Sequence, residues 1–240
     1  MYAEVTLRRS AHPLLLHLAC ALSLLLPVAC AVTDATVVLP KARLAPSIES
    51  GRRRQVIVTM PFQDAREIRR RCGMKKNSYE MDTADLQCTT YIEGYRVAAR
   101  PALWLANLLE EELRRAGFSV VNESEARASA VRIEGSLLKL FVEPVMKFWT
   151  VDMEADLQVR LVATSETGLH AERSFFVKGV KSQYLMSTFP FDAALDDATT
   201  AMLRDLVKAI VELLDRYPQL GSGRPQNGVI RVAVRPRASR

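Results

Sequence analysis

Apolar and polar residues alternate over a long stretch in the second half of the chain. Every second residue from 151 to 163 is apolar, and a shorter run of the same kind covers 131–137. A period of two that persists over so many residues predicts a long β-strand with one buried face. A turn at 164–168 and a returning strand at 170–181 follow, so residues 130–183 predict an antiparallel meander.

Two segments have the 3.6-residue periodicity of amphipathic helices. The segment 101–116 begins at a proline and stops before a glycine, whereas 192–216 has Asp residues near its start and stops before a proline. Short strands are predicted at 55–60 and 118–122. The predicted fold is a two-layer α+β domain, an antiparallel meander sheet covered by two helices. The apolar stripes are Leu105, Leu108, Leu109, Leu113 and Ala116 in the first helix, and Leu195, Ala198, Met202, Leu206, Ile210 and Leu213 in the second.

The first thirty residues are predicted to be an export signal. Arg8 and Arg9 precede an apolar run at 13–28, which is typical of a signal peptide and short of the about 20 apolar residues that span a bilayer. The sequence PVAC ending at Cys30 resembles a bacterial lipobox, in which the cysteine becomes the lipidated N-terminus. Ordinary cleavage after a small-x-small pattern is the alternative. Ala31, where Asp would signal inner-membrane retention, favours the outer membrane.

This interpretation divides the chain into four parts. Residues 1–29 are predicted to be the signal peptide, and 30–54 the lipidated N-terminus with a flexible tether. Residues 55–217 are predicted to form the α+β domain, facing the periplasm. Residues 218–240 form a basic arm, which we expect to be a solvated end or an added edge strand.

Export also determines how the cysteines are interpreted. Cys20 lies in the signal peptide and Cys30 carries the lipid, which leaves Cys72 and Cys88 in an oxidising compartment. The residues between them are polar and lack periodicity, so we predict a disulfide that closes a loop and contributes about 3 kcal/mol. Their spacing fits no metal or redox motif.

The charge of the chain is unevenly placed. The formal net charge is +6, but residues 31–223 hold 26 basic and 26 acidic side chains, which excludes a generally cationic nucleic-acid surface. The densest positive segment, 52–76, has nine basic residues. It is interpreted either as a solvated face or as a contact with anionic lipid headgroups or an acidic partner. The residues predicted for that contact are Arg69, Arg70, Arg71, Lys75 and Lys76.

Candidate catalytic chemistry is sparse. His170 is the one histidine outside the signal peptide, and no metallopeptidase, serine-hydrolase or nucleotide-binding motif is present. Asp152, Glu154 and Asp156 share one strand face, but alternate residues lie about 6.7 Å apart, which is wide for metal ligands from one strand. A solvated outer face is the simpler interpretation. We therefore expect no enzyme activity, no cofactor and no metal.

A family resemblance follows from the ordered patterns themselves. The strands AVRIEGSLLKLFVE, TVDMEADLQVRLVATSETG and ERSFFVKGVKS, followed by the helix LDDATTAMLRDLVKAIVELL, resemble the second half of YajG-type outer-membrane lipoproteins. The resemblance covers 45–216 and departs at the cysteine segment and the basic arm. It implies a lipoprotein facing the periplasm, without established activity, whose lipidated cysteine is Cys30. Auxiliary lipoproteins of ABC-type transport systems are also similar.

The expected function is that of a non-enzymatic, lipid-anchored envelope lipoprotein that exposes a periplasmic binding or scaffolding domain. Its expected partners are the membrane, through the anchor, and envelope proteins, with no nucleic acid; a homo-oligomer is left open. The alternatives are an auxiliary lipoprotein of an ABC-type lipid or solute transporter, which would co-purify with permease subunits, and an envelope hydrolase with an unrecognised site. A hydrolase would have a deep pocket with a perturbed acid or His170.

Overall fold

The computed structural model describes residues 36–41, 54–76, 82–93, 95–166, 168–184, 191–218 and 220. Within these ranges the chain forms ten strands, two α-helices and a short 3-10 helix at Glu123–Glu125. No helix in these ranges is long and apolar enough to cross a membrane. The strands are β1 (Thr36–Val38), β2 (Gln55–Val58), β3 (Gln63–Asp64), β4 (Gly73–Lys76), β5 (Asp82–Ile92), β6 (Tyr95–Ala98), β7 (Ser119–Val120), β8 (Val131–Met146), β9 (Thr150–Ser165) and β10 (His170–Tyr184). The α-helices are α1 (Pro101–Arg115) and α2 (Phe191–Arg216).

Three long strands form one half of the sheet. β8 and β9 pair in antiparallel register from Val131 opposite Ser165 to Met146 opposite Val151. β9 and β10 are also antiparallel, and Gly168, with a positive φ of 93°, lies in the turn between them. These strands therefore follow one another in chain order, as their alternating pattern predicts.

The other half of the sheet is different. β2, β3 and β4 lie one after another along the free side of β8, and all three run parallel to it. β5 pairs antiparallel with β4 and has β1 and β6 as further neighbours, while β7 lies beside β2. The sheet is thus mixed, which corrects the prediction of an antiparallel meander throughout. The α+β class with two helices is confirmed. The strand directions were mispredicted because periodicity identifies elements and buried faces but not the direction of a neighbouring strand.

One hydrophobic core holds the strands and both helices together. The two helices contact each other, and both contact β8. The predicted stripe of α1 is buried, and so are all seven apolar positions of 151–163. In α2 the stripe is buried as predicted except at Leu213, which is partly exposed, while Leu214 is fully buried in its place. Apart from Leu213, the positions predicted to be buried in these three elements were therefore read correctly from the sequence.

Two segments predicted to be irregular contain strands. Within the predicted tether 30–54, β1 pairs in parallel with β5, and Val37 is fully buried. Within the predicted loop between the cysteines, β4 and β5 pair antiparallel, and Leu86 is buried. Both predictions fail there because three residues, or a strand with mostly polar side chains, give too weak a periodic signal.

The ends of the chain fall partly outside the description. The predicted signal peptide, the lipidation site Cys30, residues 42–53 and the arm from 221 onward lie outside the described residues. Leu220, beyond the predicted boundary at 217, is buried.

Candidate functional site

The basic segment predicted to contact an anionic partner is built around a buried arginine. Arg66 follows β3, and only 5% of its surface is exposed. Its guanidinium donates two hydrogen bonds to the Asp64 carboxylate, from Nε to Oδ1 and from Nη2 to Oδ2, each of 2.9 Å. The same guanidinium donates to the carbonyl oxygens of Arg69, at 2.9 Å, and of Arg71, at 3.4 Å. Arg66 therefore fixes the 66–71 loop from inside.

The counter-ion of Arg66 is correspondingly perturbed. Burial acts to raise the pKa of Asp64, but the hydrogen bonds and charge of Arg66, with a further contribution from Arg69, together hold that pKa below its usual value. The carboxylate stays ionised through the neutral range, so the pair is intact there.

The predicted cations of this loop differ in their surroundings. Arg69 and Arg70 are exposed. Arg71 instead lies against the sheet, where its Nη1 donates to Asp85 Oδ1 at 2.8 Å and its guanidinium lies 5.7 Å from the centre of the Phe141 ring. An anionic partner would therefore meet Arg69 and Arg70 first, and the contact itself stays a prediction.

A disulfide closes the other end of the loop. Cys72 and Cys88 are bonded, with their Cα atoms 5.4 Å apart, and both are buried. The bond joins the start of β4 to β5, and Arg66 Nη1 lies 3.3 Å from Cys72 Sγ. β4 carries the last two predicted cations: Lys75 is half-buried and has a partner, while the side chain of Lys76 lies outside the description.

The three acids of β9 share one face of the sheet, and lysines surround them. The Ser182 hydroxyl donates to Asp152 at 2.6 Å and, together with Lys147, lowers the pKa of Asp152. The hydrogen bond to Glu154 raises the pKa of Lys178. These ion pairs with lysines account for the acidic stripe without a bound metal ion. The pairs are Lys139 with Asp156 at 2.6 Å, Lys147 with Asp152 at 3.2 Å, and Lys178 with both Glu154 and Asp156.

His170 lies at the exposed start of β10, opposite Thr164. In the described ranges no three His, Cys, Asp or Glu side chains are grouped so that they could hold a metal ion.

The last strand of the meander has an open edge. In the part of the chain that the structure describes, β10 pairs with β9 alone. Phe176, Val180 and Tyr184 lie at every fourth position on one face of β10, and are 56%, 42% and 77% exposed. We call these three residues the edge row.

The charged residues of β10 are bound to the protein itself. Lys178 pairs with Glu154, and Lys181 Nζ lies 2.8 Å from Asp197 of α2. Edge strands are commonly protected from pairing by lysines that point into solvent. Because these two lysines are held in ion pairs, they protect the edge less well than free cations would.

Sequence reasoning missed the residues that make these surfaces specific. Arg66 is one of nine basic residues in its segment, and nothing in the pattern shows that it is buried. The edge row had a signal, since apolar residues interrupt the polar positions of 176–184. Phe148 and Trp149 had one too, because they occupy a turn between two strongly periodic strands.

Comparisons with known proteins give matches to solved structures at low identity only. No family model matches the sequence, and no curated protein matches it. Among solved structures, the chain is similar to a Xanthomonas campestris protein of the DUF330 family, with 13% identity and a TM-score of 0.49, over 76% of this chain and 99% of that one. It is also similar to a proposed homolog of neuraminyllactose-binding hemagglutinin from Helicobacter pylori, with 12% identity and a TM-score of 0.36, over 75% and 98% of the two chains. Neither similarity assigns an activity to this chain.

Proposed function

We propose that this protein is a non-enzymatic, lipid-anchored lipoprotein of the outer membrane, whose folded domain binds a protein partner of the envelope along β10. The acyl chain would be attached at Cys30, and the domain would face the periplasm. The observation that carries the binding role is the open edge of β10 with its edge row.

The length of this edge is the first argument. β10 has fifteen residues, and within the described ranges its outer side pairs with no other strand. A long edge with exposed apolar side chains tends to pair with other chains unless something blocks it. Its lysines are held in ion pairs, so a specific partner that covers the edge is the simplest explanation of the arrangement.

The chemistry of the edge also describes the partner. A segment that adds to β10 as a strand would gain backbone hydrogen bonds along the edge and would place apolar side chains against the edge row. The neighbouring cations and acids are already neutralised within this chain. The matching surface is therefore an extended, largely apolar and weakly charged segment.

Site-specific photocross-linking in intact envelopes tests the binding role. We expect a cross-linking amino acid at Phe176 to yield an adduct with another envelope protein, because this side chain lies in the edge row. The same amino acid at Tyr91, an aromatic residue of β5 with 49% exposure, is the matched control and should yield little adduct. Adducts at Tyr91 alone would contradict the proposal. Peptides of a permease in the Phe176 adduct would assign the protein to a transport system, whereas peptides of this chain would assign a second copy.

The anchor is tested by replacing one atom. We expect Cys30→Ser to move the protein from the membrane fraction to the soluble periplasmic fraction, since the thiol that accepts the lipid is lost. Fractionation in high salt, with immunodetection of the full-length chain, measures this shift. Retention of Cys30→Ser in the membrane at high salt would contradict the anchor, and Cys20→Ser, which lies in the removed leader, should leave the distribution unchanged.

A further inference from the structure

The turn between β8 and β9 presents two aromatic side chains to solvent. The Lys147 amide donates to the carbonyl oxygen of Thr150 at 2.8 Å and closes this turn. Between them, Phe148 is 85% exposed and Trp149 71% exposed. The two rings contact each other edge to face, with centres 4.7 Å apart. We call residues 147–149 the aromatic tip.

Folding does not account for these side chains. Tight hairpin turns are usually made of Gly, Asn or Asp, which tolerate the required backbone conformations. The other tryptophan shows the contrast, because Trp104 packs against the core and its indole donates to the carbonyl oxygen of Pro40 at 2.9 Å. Among the described residues, the ring contact of Trp149 is with Phe148. The aromatic tip therefore exposes apolar surface that the fold does not use.

A third aromatic residue lies at the same end of the sheet. Tyr184 pairs with Thr150 at the end of β10 and is 77% exposed. Lys147 adds a cation, whose Nζ lies 3.2 Å from Asp152. This end of the meander thus combines Phe, Trp and Tyr with a lysine.

The strand directions bring the N-terminal end of the domain to the same side. β4 runs parallel to β8, β5 runs antiparallel to β4, and β1 runs parallel to β5. β1 is therefore antiparallel to β8, so its first residue points toward the end of the sheet where β8 finishes. The N-terminal end of β1, which is six residues from Cys30 in the sequence, therefore faces the aromatic tip.

The span from Thr36 to Cys30 also matches the distance from the level of Thr36 to the aromatic tip. Gly73 pairs with both Leu86 and Val142, and Thr36 pairs with Gln87, so Thr36 lies near the level of Val142. From that level the aromatic tip is six residues further along β8, or about 20 Å at the rise of a strand. Cys30 is also six residues from Thr36, a span of at most about 20 Å. An acyl chain on Cys30 and the aromatic tip can therefore reach one plane.

We propose that Phe148 and Trp149 insert into the interfacial layer of the bilayer that holds the anchor, with Lys147 at the level of the lipid headgroups. This inference rests on the proposed lipid anchor at Cys30. It gives the domain a second membrane contact, which fixes its orientation and turns the end of the sheet toward the lipid.

The chemistry of the tip favours a bilayer over a protein as its occupant. Trp and Tyr are enriched at the membrane interface, where an apolar ring and a polar group are both accommodated, and lysine extends toward headgroups. A stable protein interface buries about 1,200–2,000 Å², with its central aromatic residues enclosed in pockets. A narrow, convex turn offers far less area, but it suffices for two rings to enter an interfacial layer.

Tryptophan fluorescence tests the insertion directly, because the chain has two tryptophans. The lipidated protein is reconstituted into vesicles of phosphatidylethanolamine and phosphatidylglycerol, with or without brominated acyl chains. In Trp104→Phe, where Trp149 is the sole reporter, we expect a blue shift in vesicles and quenching by the brominated lipid. In Trp149→Phe, where Trp104 reports from the core, we expect neither. The difference between the wild-type protein and Trp149→Phe isolates the same signal if Trp104→Phe folds poorly.

The outcomes separate the tip from the anchor. Protein that floats with the vesicles while the emission of Trp149 is neither shifted nor quenched overturns the insertion and leaves the anchor standing. Lipidated protein that does not float with the vesicles overturns both. Quenching of Trp149 that is lost in Lys147→Gln together with Phe148→Ser supports the insertion, since a neutral side chain at 147 leaves Asp152 with its hydrogen bond from Ser182.

Discussion

Replacing Asp64 with Asn should lower the free energy of unfolding by about 3 kcal/mol at neutral pH, because the buried Arg66 guanidinium loses its counter-ion. The neutral amide keeps the size of the carboxylate, so the loss reports charge rather than volume. Urea denaturation of the exported protein, followed by circular dichroism, measures this difference.

The effect of Asp64→Asn should also depend on pH in a defined direction. The pKa of Asp64 is lower in the folded chain than its usual value, because of the hydrogen bonds and charge of Arg66. Its stabilising contribution is therefore complete above the unfolded-state pKa of about 4, and it disappears as the pH falls through the lower folded-state pKa. Wild type and Asp64→Asn should converge in stability under acidic conditions.

Asp85→Asn is the matched control for that experiment. Asp85 also pairs with an arginine, Arg71, but its side chain is 63% exposed. Such a surface pair contributes at most about 1 kcal/mol. If Asp85→Asn and Asp64→Asn destabilised the protein equally, the buried pair of Arg66 and Asp64 would not be what stabilises the 66–71 loop.

Replacing Gly179 with Val should destabilise the domain by about 3 kcal/mol, through overpacking between β10 and α2. A Cβ at this position would lie 2.1 Å from the carbonyl oxygen of Ala194 and 2.8 Å from the amide nitrogen of Ala198. Both are backbone atoms of α2, so the helix itself would have to move. Thermal unfolding monitored by circular dichroism measures the loss.

The sign of this result is informative, because valine favours strands and glycine does not. Strand propensity alone therefore predicts that Gly179→Val is stabilising. Ser174→Val lies on the exposed face of the same strand and should change stability by no more than about 0.5 kcal/mol. Equal stability of Gly179→Val and wild type would mean that α2 does not approach β10 as closely as described.

The sequence predicted the elements with a strong periodic signal and missed those without one. β9, with seven buried positions in strict alternation, and α2, with its apolar stripe, lie where the pattern places them. β1 and β4 are too short for a pattern to appear. The parallel neighbours of β8 were also missed, because hydrophobic alternation is the same for either strand direction.

For the candidate surfaces, the sequence predicted which residue types are present but not which side chains are buried or paired. The basic segment was identified from its nine cations, yet its central feature is Arg66, whose burial depends on the distant packing of β3 against β8. The stripe of acids in β9 was placed on one face correctly. The lysines that neutralise it come from β8, from the turn between β8 and β9, and from β10, and only strand register brings them there.

The position of β1 has a mechanical consequence for a protein held by its N-terminus. While β1 stays paired, a pull on that end is carried through three residue pairs from β1 to β5, and from β5 to β4. The bond between Cys72 and Cys88 spans that second junction, so the force would pass through a covalent link into β4 and on to the long strands. Under tension β1 would therefore yield first, and the rest of the sheet would keep its shape.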